Sequence, residues 1–382
     1  MSLVSRRHFR RLFMAATALA LAGCSAIDFY WQGVSGQMNL IAGARPIKEV
    51  LETTHDPLLK SRLLQVQAIR AFATRELGLP DNGSYTRYTE LNRPYVVWNV
   101  VATPELSLNP RQWCFAIVGC VSYRGYFNEQ EARSEAERLV ARGDDVSLGG
   151  VSAYSTLGWF DDPVLSTFVR YRETELARLL FHELAHQVVY VKDDTAFNES
   201  FAVAVEEEGM RRWIKAQAGR TDAGQLAEEV ARARRLKAEF RSIVRSTRDH
   251  LRELYASRVS ETEKRARKQA IFAEMREQYE HAKAGWSGLA AYDRFFNREA
   301  NNAAIAAVGL YADYVPQFAA LIAANRYDMG RFFDDVKVLA TLPKHQREAR
   351  LAALARPAAV AGNGTLGPSL LAPNSATESI TR

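Results

Sequence analysis

The chain has 382 residues, 47% hydrophobic and 25% charged, so it can bury a large core in two or three subdomains or one elaborated domain. Its net charge of +6 comes from basic residues scattered among acidic ones. With no basic patch interleaved with aromatics, this is the pattern of a solvated surface and argues against a nucleic-acid partner.

In chain order, Arg6, Arg7, Arg10 and Arg11 precede an apolar run from Leu12 to Gly23. That run is too short to span a bilayer and has the shape of a signal-peptide core, so 1–23 reads as a signal peptide. It ends in Leu21-Ala-Gly-Cys24, which resembles the lipobox of bacterial lipoproteins. The resemblance implies cleavage before Cys24, acylation of its thiol and attachment to a membrane. Serine rather than aspartate at position 25 implies sorting to the outer membrane, facing the periplasm. Ser5 to Phe9 resembles a twin-arginine export signal, and an arginine-rich Sec signal accounts for the same residues. Cys114 and Cys120 then remain as a pair. In an oxidising compartment they are expected to form a disulfide, the alternative being two buried thiols on one strand.

Residues 24–54 read as a tether, 55–356 as the functional domain and 357–382 as a disordered tail. Asp56 and Pro57 open a helix whose Leu59, Leu63, Val66 and Ile69 recur at helical spacing. Tyr95–Ala102, Cys114–Tyr123 and Val146–Tyr154 are β-branched or aromatic and read as strands, with a charged helix over Glu129–Arg142. Helices are expected over Glu173–Val191 and Asn198–Lys215. A long pair over Asp222–Ser257 and Ser260–Lys283 forms a protruding hairpin, 222–284, with a capping box at Ser260. The expected class is α+β and predominantly helical, with a small N-terminal sheet.

The chemistry lies in Phe181 to Gly209. His182 and His186 stand four apart, so on a helix both imidazoles face one side and can reach one metal. Glu183 sits about 100° round the helix, beside such a metal, where it can act as general base. Imidazole and carboxylate ligands with an open position suit catalytic Zn²⁺. The third ligand is expected to be Glu199, with Glu206 and the pair Asp193/Asp194 as the other candidates. Glu206, two turns further on, is expected to accept a hydrogen bond from a ligand histidine.

His182-Glu-Leu-Ala-His-Gln187 followed by Phe197-Asn-Glu-Ser-Phe-Ala202 resembles the gluzincin metallopeptidases, especially the zinc aminopeptidases. The resemblance implies His182, His186 and Glu199 as metal ligands, Glu183 as general base, and Asn198 and Glu206 as supports behind the ligands. The twelve residues between His186 and Glu199 are fewer than in most gluzincins, and the Gly-Ala-Met-Glu-Asn type of stretch is absent. Over a wider span, from Cys24 to Val315-Pro-Gln-Phe318, the chain resembles a bacterial family of predicted aminopeptidases. Zinc-dependent peptide hydrolysis in the cell envelope, at peptide N-termini, is the implied activity. An envelope endopeptidase or chaperone-protease is the near alternative, and a non-catalytic interaction protein with a structural metal the distant one. For the oxyanion, Tyr311 is the first choice, then Tyr314 and Tyr292. Tyr123–Tyr126 offers an edge for an extended peptide. Asp161 and Asp162 either bind a free α-amine or cap the turn before Pro163.

Overall fold

The computed structural model describes residues 29, 31–115, 119–286, 292–309 and 314–354, so Cys24, Tyr311 and the expected tail lie outside them. The stretch expected to be a tether is folded from residue 31 on. Helix α1 (31–42), strand β1 (Arg45–Pro46) and helix α2 (Ile47–Thr53) bury Leu40, Ile47 and Val50 in the core. These apolar residues are too few to build a core of their own, and they become structure only by seating on one.

Helix α3 (Pro57–Leu77) starts where Asp56 accepts hydrogen bonds from the Leu58 and Leu59 N–H groups. It ends at Gly78, whose φ of 66° closes it in the left-handed conformation. Strand β2 (Arg87–Thr89) pairs with β1 and, in parallel, with β8 (Val164–Leu165). A second sheet has β3 (Val97–Pro104) at its centre, antiparallel to β6 (Arg124–Tyr126) and β7 (Asp144–Val151). Helix α4 (Glu129–Val140) covers this sheet, packing Ala132 and Leu139 on Trp98, Val100 and Ala102.

The run Cys114–Tyr123, expected as one strand, is instead a small hairpin of β4 (Trp113–Phe115) and β5 (Gly119–Val121). Gly119, at φ 78°, supplies the conformation that starts the return strand, and the unbroken apolar sequence conceals this. Cys114 and Cys120 face each other across the hairpin and are joined by a disulfide.

After the short helix α5 (Ser166–Val169), helices α6 (Glu173–Ala185) and α7 (Thr195–Ala216) form the centre of the molecule. Helix α6 stops well before the expected Val191. Val189 and Val191 remain buried past its end, so hydrophobicity does not mark the break. Helix α7 is buried nearly all round, as a central helix should be. Its Gly209 allows close packing, since a Cβ there would lie 2.6 Å from the Phe181 ring and 2.9 Å from Leu77.

Helices α8 (Ala223–Ala256) and α9 (Glu261–Gly285) form the long hairpin, but it is no free arm. It shares an apolar cluster, Leu251, Phe272, Met275 and Tyr279 among it, with Phe296 and Ile305. Lys268 of α9 bonds Asp145 of β7 at 2.7 Å and the Glu105 carbonyl at 2.9 Å. Ile305 belongs to α10 (Asn302–Gly309), and α11 (Val315–Ala324), α12 (Met329–Thr341) and α13 (Lys344–Leu354) complete a predominantly helical α+β fold. Phe318, Phe332 and Phe333 from α11 and α12 surround Phe201 of α7.

Candidate metal centre

His182 and Glu183 stand in the last turn of α6, and His186 caps it. The four-residue spacing brings the two imidazoles together, with their Nε2 atoms 3.3 Å apart. Helix α7 returns alongside and presents Glu199 from near its start. Its Oε2 lies 3.4 Å from His182 Nε2, and its Oε1 lies 3.8 Å from His186 Nε2. One ligand atom from each of the three residues falls within 4.8 Å of the others, the one such convergence among the described residues.

The connection between the helices explains how so short a link suffices. Asn198 bonds the backbone of the connecting loop. Its Oδ1 accepts from the Val191 N–H and its Nδ2 donates to the Val191 carbonyl, both at 2.8 Å, which pins the loop. Asp194 caps α7 by accepting from the Phe197 N–H, and Arg347 of α13 donates two bonds to its buried carboxylate at 2.6 and 3.0 Å. Asp193 takes a φ of 64° and accepts from the Cys120 N–H at 2.5 Å. Both aspartates weighed as ligands therefore build the turn, and Asp193 seats the disulfide hairpin on it.

Glu206 lies two turns along α7. Its Oε2 is 3.4 Å from His182 Nδ1, while its Oε1 accepts from Arg178 at 2.7 Å, with Lys237 Nζ at 3.5 Å. This orients His182 with Nδ1–H toward Glu206 and Nε2 toward Glu199 and His186. Arg178 stands one turn before His182 on α6, whereas Lys237 carries no sequence signal, because only the fold brings α8 beside α7.

Burial acts differently on each group. It pushes the Glu183 carboxyl up to about 7, although neighbouring His182 pulls it down, and it pushes His186 down to about 4. For His182, burial is outweighed by the bonds to Glu199 and Glu206, and the imidazole is pushed up to about 10. Burial also opposes the charge on Glu206, but His182 and Lys237 hold it well below the usual carboxylate range. Three glutamates, Glu206 buried and Glu183 and Glu199 partly buried, thus surround two imidazoles, an arrangement that favours a cation. Glu199 Oε2 is also buried without a well-formed hydrogen bond, its polar contact being the 3.4 Å approach to His182 Nε2. A dication held by His182, His186 and Glu199 would fit this donor set.

Around the centre, the Tyr123 hydroxyl is pushed above its ordinary range by burial first and then by Glu199, Tyr190 and Glu183. Tyr85, fully buried, feels Glu183 and Asp162 in the same way. The strand edge expected at Tyr123–Tyr126 is partly occupied. Gln32 of α1 donates to the Gly125 carbonyl at 3.3 Å and accepts from the Phe127 N–H at 2.9 Å. Asp162 is buried and accepts from the Thr156 N–H at 3.0 Å and the Thr156 hydroxyl at 2.7 Å, so it caps its turn. Gln187, next to His186, joins this turn to the Ser84 loop, donating to Ser84 Oγ at 3.1 Å and accepting from Asn82 at 2.8 Å. Of the tyrosines singled out from sequence, Tyr292 stacks on Phe240 in the hairpin cluster. The Tyr314 hydroxyl meets Glu348 at 3.5 Å.

A protein-family model described as "Putative aminopeptidase" matches residues 28–351. No curated protein and no solved structure matches the chain.

Proposed function

The chain belongs to the family described as "Putative aminopeptidase", and on that premise we propose that it is a zinc-dependent peptidase acting on peptide N-termini in the cell envelope, anchored through Cys24. The observation that carries the zinc dependence is the convergence of His182, His186 and Glu199 beside Glu183. Zn²⁺, when bound by those three side chains, supplies a Lewis acid that polarises a carbonyl and acidifies water. The remaining work falls to the chain itself. Glu183, partly buried and raised to about 7, takes a proton from the attacking water and delivers it to the departing amine. Glu206 keeps His182 in the tautomer that leaves Nε2 facing its partners. Tyr123 stays neutral at working pH and is the described tyrosine near both Glu199 and Glu183, so it is the one to donate to the oxyanion. Tyr311, outside the described residues, is retained as the alternative donor.

The deciding experiment measures zinc content and aminoacyl-arylamide hydrolysis for wild type, Glu183→Gln and Tyr123→Phe. Glu183→Gln should keep its zinc and lose about 10²–10⁴-fold in kcat. Tyr123→Phe should lose about 10²-fold in kcat with KM nearly unchanged. Stoichiometric zinc without hydrolysis that depends on Glu183 would exclude the peptidase assignment. Cleavage confined to N-blocked peptides would replace the aminopeptidase subtype with an endopeptidase.

A further inference from the structure

The apolar face of α1 has no role in the metal centre. One side of the helix is fastened to the β6–β3–β7 sheet. Gln32 bonds the Gly125 and Phe127 backbone, Gln37 bonds the Tyr154 hydroxyl, and Leu40 is buried. Gly36 lies so close to the Phe127 ring that a Cβ there would sit 2.3 Å from it. At the start of this region, Phe29 stacks on Phe115 at 5.3 Å and has the Arg124 guanidinium 4.1 Å from its ring centre. The opposite side presents Trp31, Val34 and Met38, which are 71%, 56% and 52% exposed. Spaced i, i+3 and i+7, they form one continuous stripe along the helix.

We propose that this stripe docks on the surface of the lipid bilayer, and the proposal rests on the anchoring of Cys24 given above. Trp31 follows Cys24 by only seven residues, a reach of at most about 25 Å even when fully extended. Acylation of Cys24 therefore keeps α1 close to the membrane, more tightly than any later part of the fold. A tryptophan at the end of an apolar stripe suits the interface between headgroups and acyl chains. An in-plane helix of this kind buries its apolar side about 5–10 Å deep. Three side chains are far short of the roughly 800 Å² per partner that a stable protein interface needs, which disfavours a second copy as the occupant. Among the described residues no helix is long and apolar enough to cross a membrane, so docking here is peripheral. Because Gln32, Gly36 and Gln37 fix α1 to the body, docking would also fix which face of the protein looks toward the lipid.

The test uses the acylated mature protein in phosphatidylethanolamine–phosphatidylglycerol vesicles whose acyl chains are brominated near the headgroup. Subtracting the fluorescence of Trp31→Phe from that of wild type isolates Trp31 from the other five tryptophans. The difference signal should fall by at least half relative to unbrominated vesicles. In a second subtraction, the Val34→Asp/Met38→Asp variant is compared with the same variant carrying Trp31→Phe. Its quenching should be at least twofold weaker, while recovery with the vesicles and hydrolysis of soluble peptides stay at wild-type levels. An unquenched Trp31 overturns the proposal. Loss of a dimer in detergent by the double variant, with no change in quenching, assigns the stripe to a second copy instead. A mass showing an unacylated mature chain removes the tether and the proposal with it, leaving the hydrolysis result to stand on its own.

Discussion

Single residues around the centre differ in charge because their surroundings differ. Glu183, partly buried, and Glu206, buried, are glutamates of the α6–α7 pair. One is raised to about 7 because burial dominates, and the other is held low by His182, Lys237 and Arg178. In the proposed mechanism that contrast suits Glu183 to proton transfer and Glu206 to orienting His182. Asp162 gives a measurable consequence. Burial raises its carboxyl from 3.8 to about 6 against the bonds from Thr156 and Gln187. Between those values the folded chain keeps a proton that the unfolded chain has released, so this group makes stability fall as pH rises through the window. Asn does not titrate, and its Oδ1 can accept from the Thr156 N–H while its Nδ2 donates to the Thr156 hydroxyl. The urea midpoint of wild type relative to Asp162→Asn should therefore decline from pH 4 to 6. A flat or rising difference would count against the assignment. The convergence of His182, His186 and Glu199 was legible in the sequence, because the i, i+4 spacing and the Asn-Glu-x-Phe-Ala run are local. In the sequence Tyr123 is only part of a strand edge, since nothing local marks a hydroxyl whose ionisation Glu199 and Glu183 oppose from other elements.

At the scale of elements, the metal site depends on a reversal. Helix α6 must stop at His186 and α7 must start by Thr195 for Glu199 to face the histidines. Asn198, Asp193 and Asp194 produce that reversal through backbone bonds, and Arg347 neutralises Asp194 from α13. The Arg347–Asp194 pair is almost completely buried, with side-chain exposures of 4% and 3%. Replacing only one partner strands a buried charge and costs about 3–5 kcal/mol. Arg347→Met should lower the denaturant midpoint accordingly, and a change under about 1 kcal/mol in a urea titration would contradict the role given to the pair. Sequence reading found both helices and placed the end of α6 too late. The apolar residues after His186 pack against the core whether or not the backbone stays helical.

Across the whole molecule, the hairpin of α8 and α9 proves to be part of the site's support. Lys237 reaches Glu206 from α8, while Lys268 ties α9 to the sheet. Lys237→Met should raise the dissociation constant for zinc about 10-fold, measured by chelator competition, because Glu206 loses one of the cations that keep it ionised behind His182. Unchanged zinc affinity would return the hairpin to a purely structural part. The charged, proline-free sequence of α8 predicted its helix and its length, but it read equally well as a solvated arm. Similarly, 31–53 read as tether because its apolar residues meet their partners only after the core exists. The sequence by itself determined the helical predominance and the grouping of His182, Glu183, His186 and Glu199 proposed as the metal site and its base, since these rest on spacing along one chain segment. Only the tertiary structure decided which carboxylates converge on the histidines, which cap helices and which pair with cations behind the site. Those roles depend on burial and on charges brought from α8, α13 and the β4–β5 hairpin, and no local pattern records distances between segments so far apart in sequence.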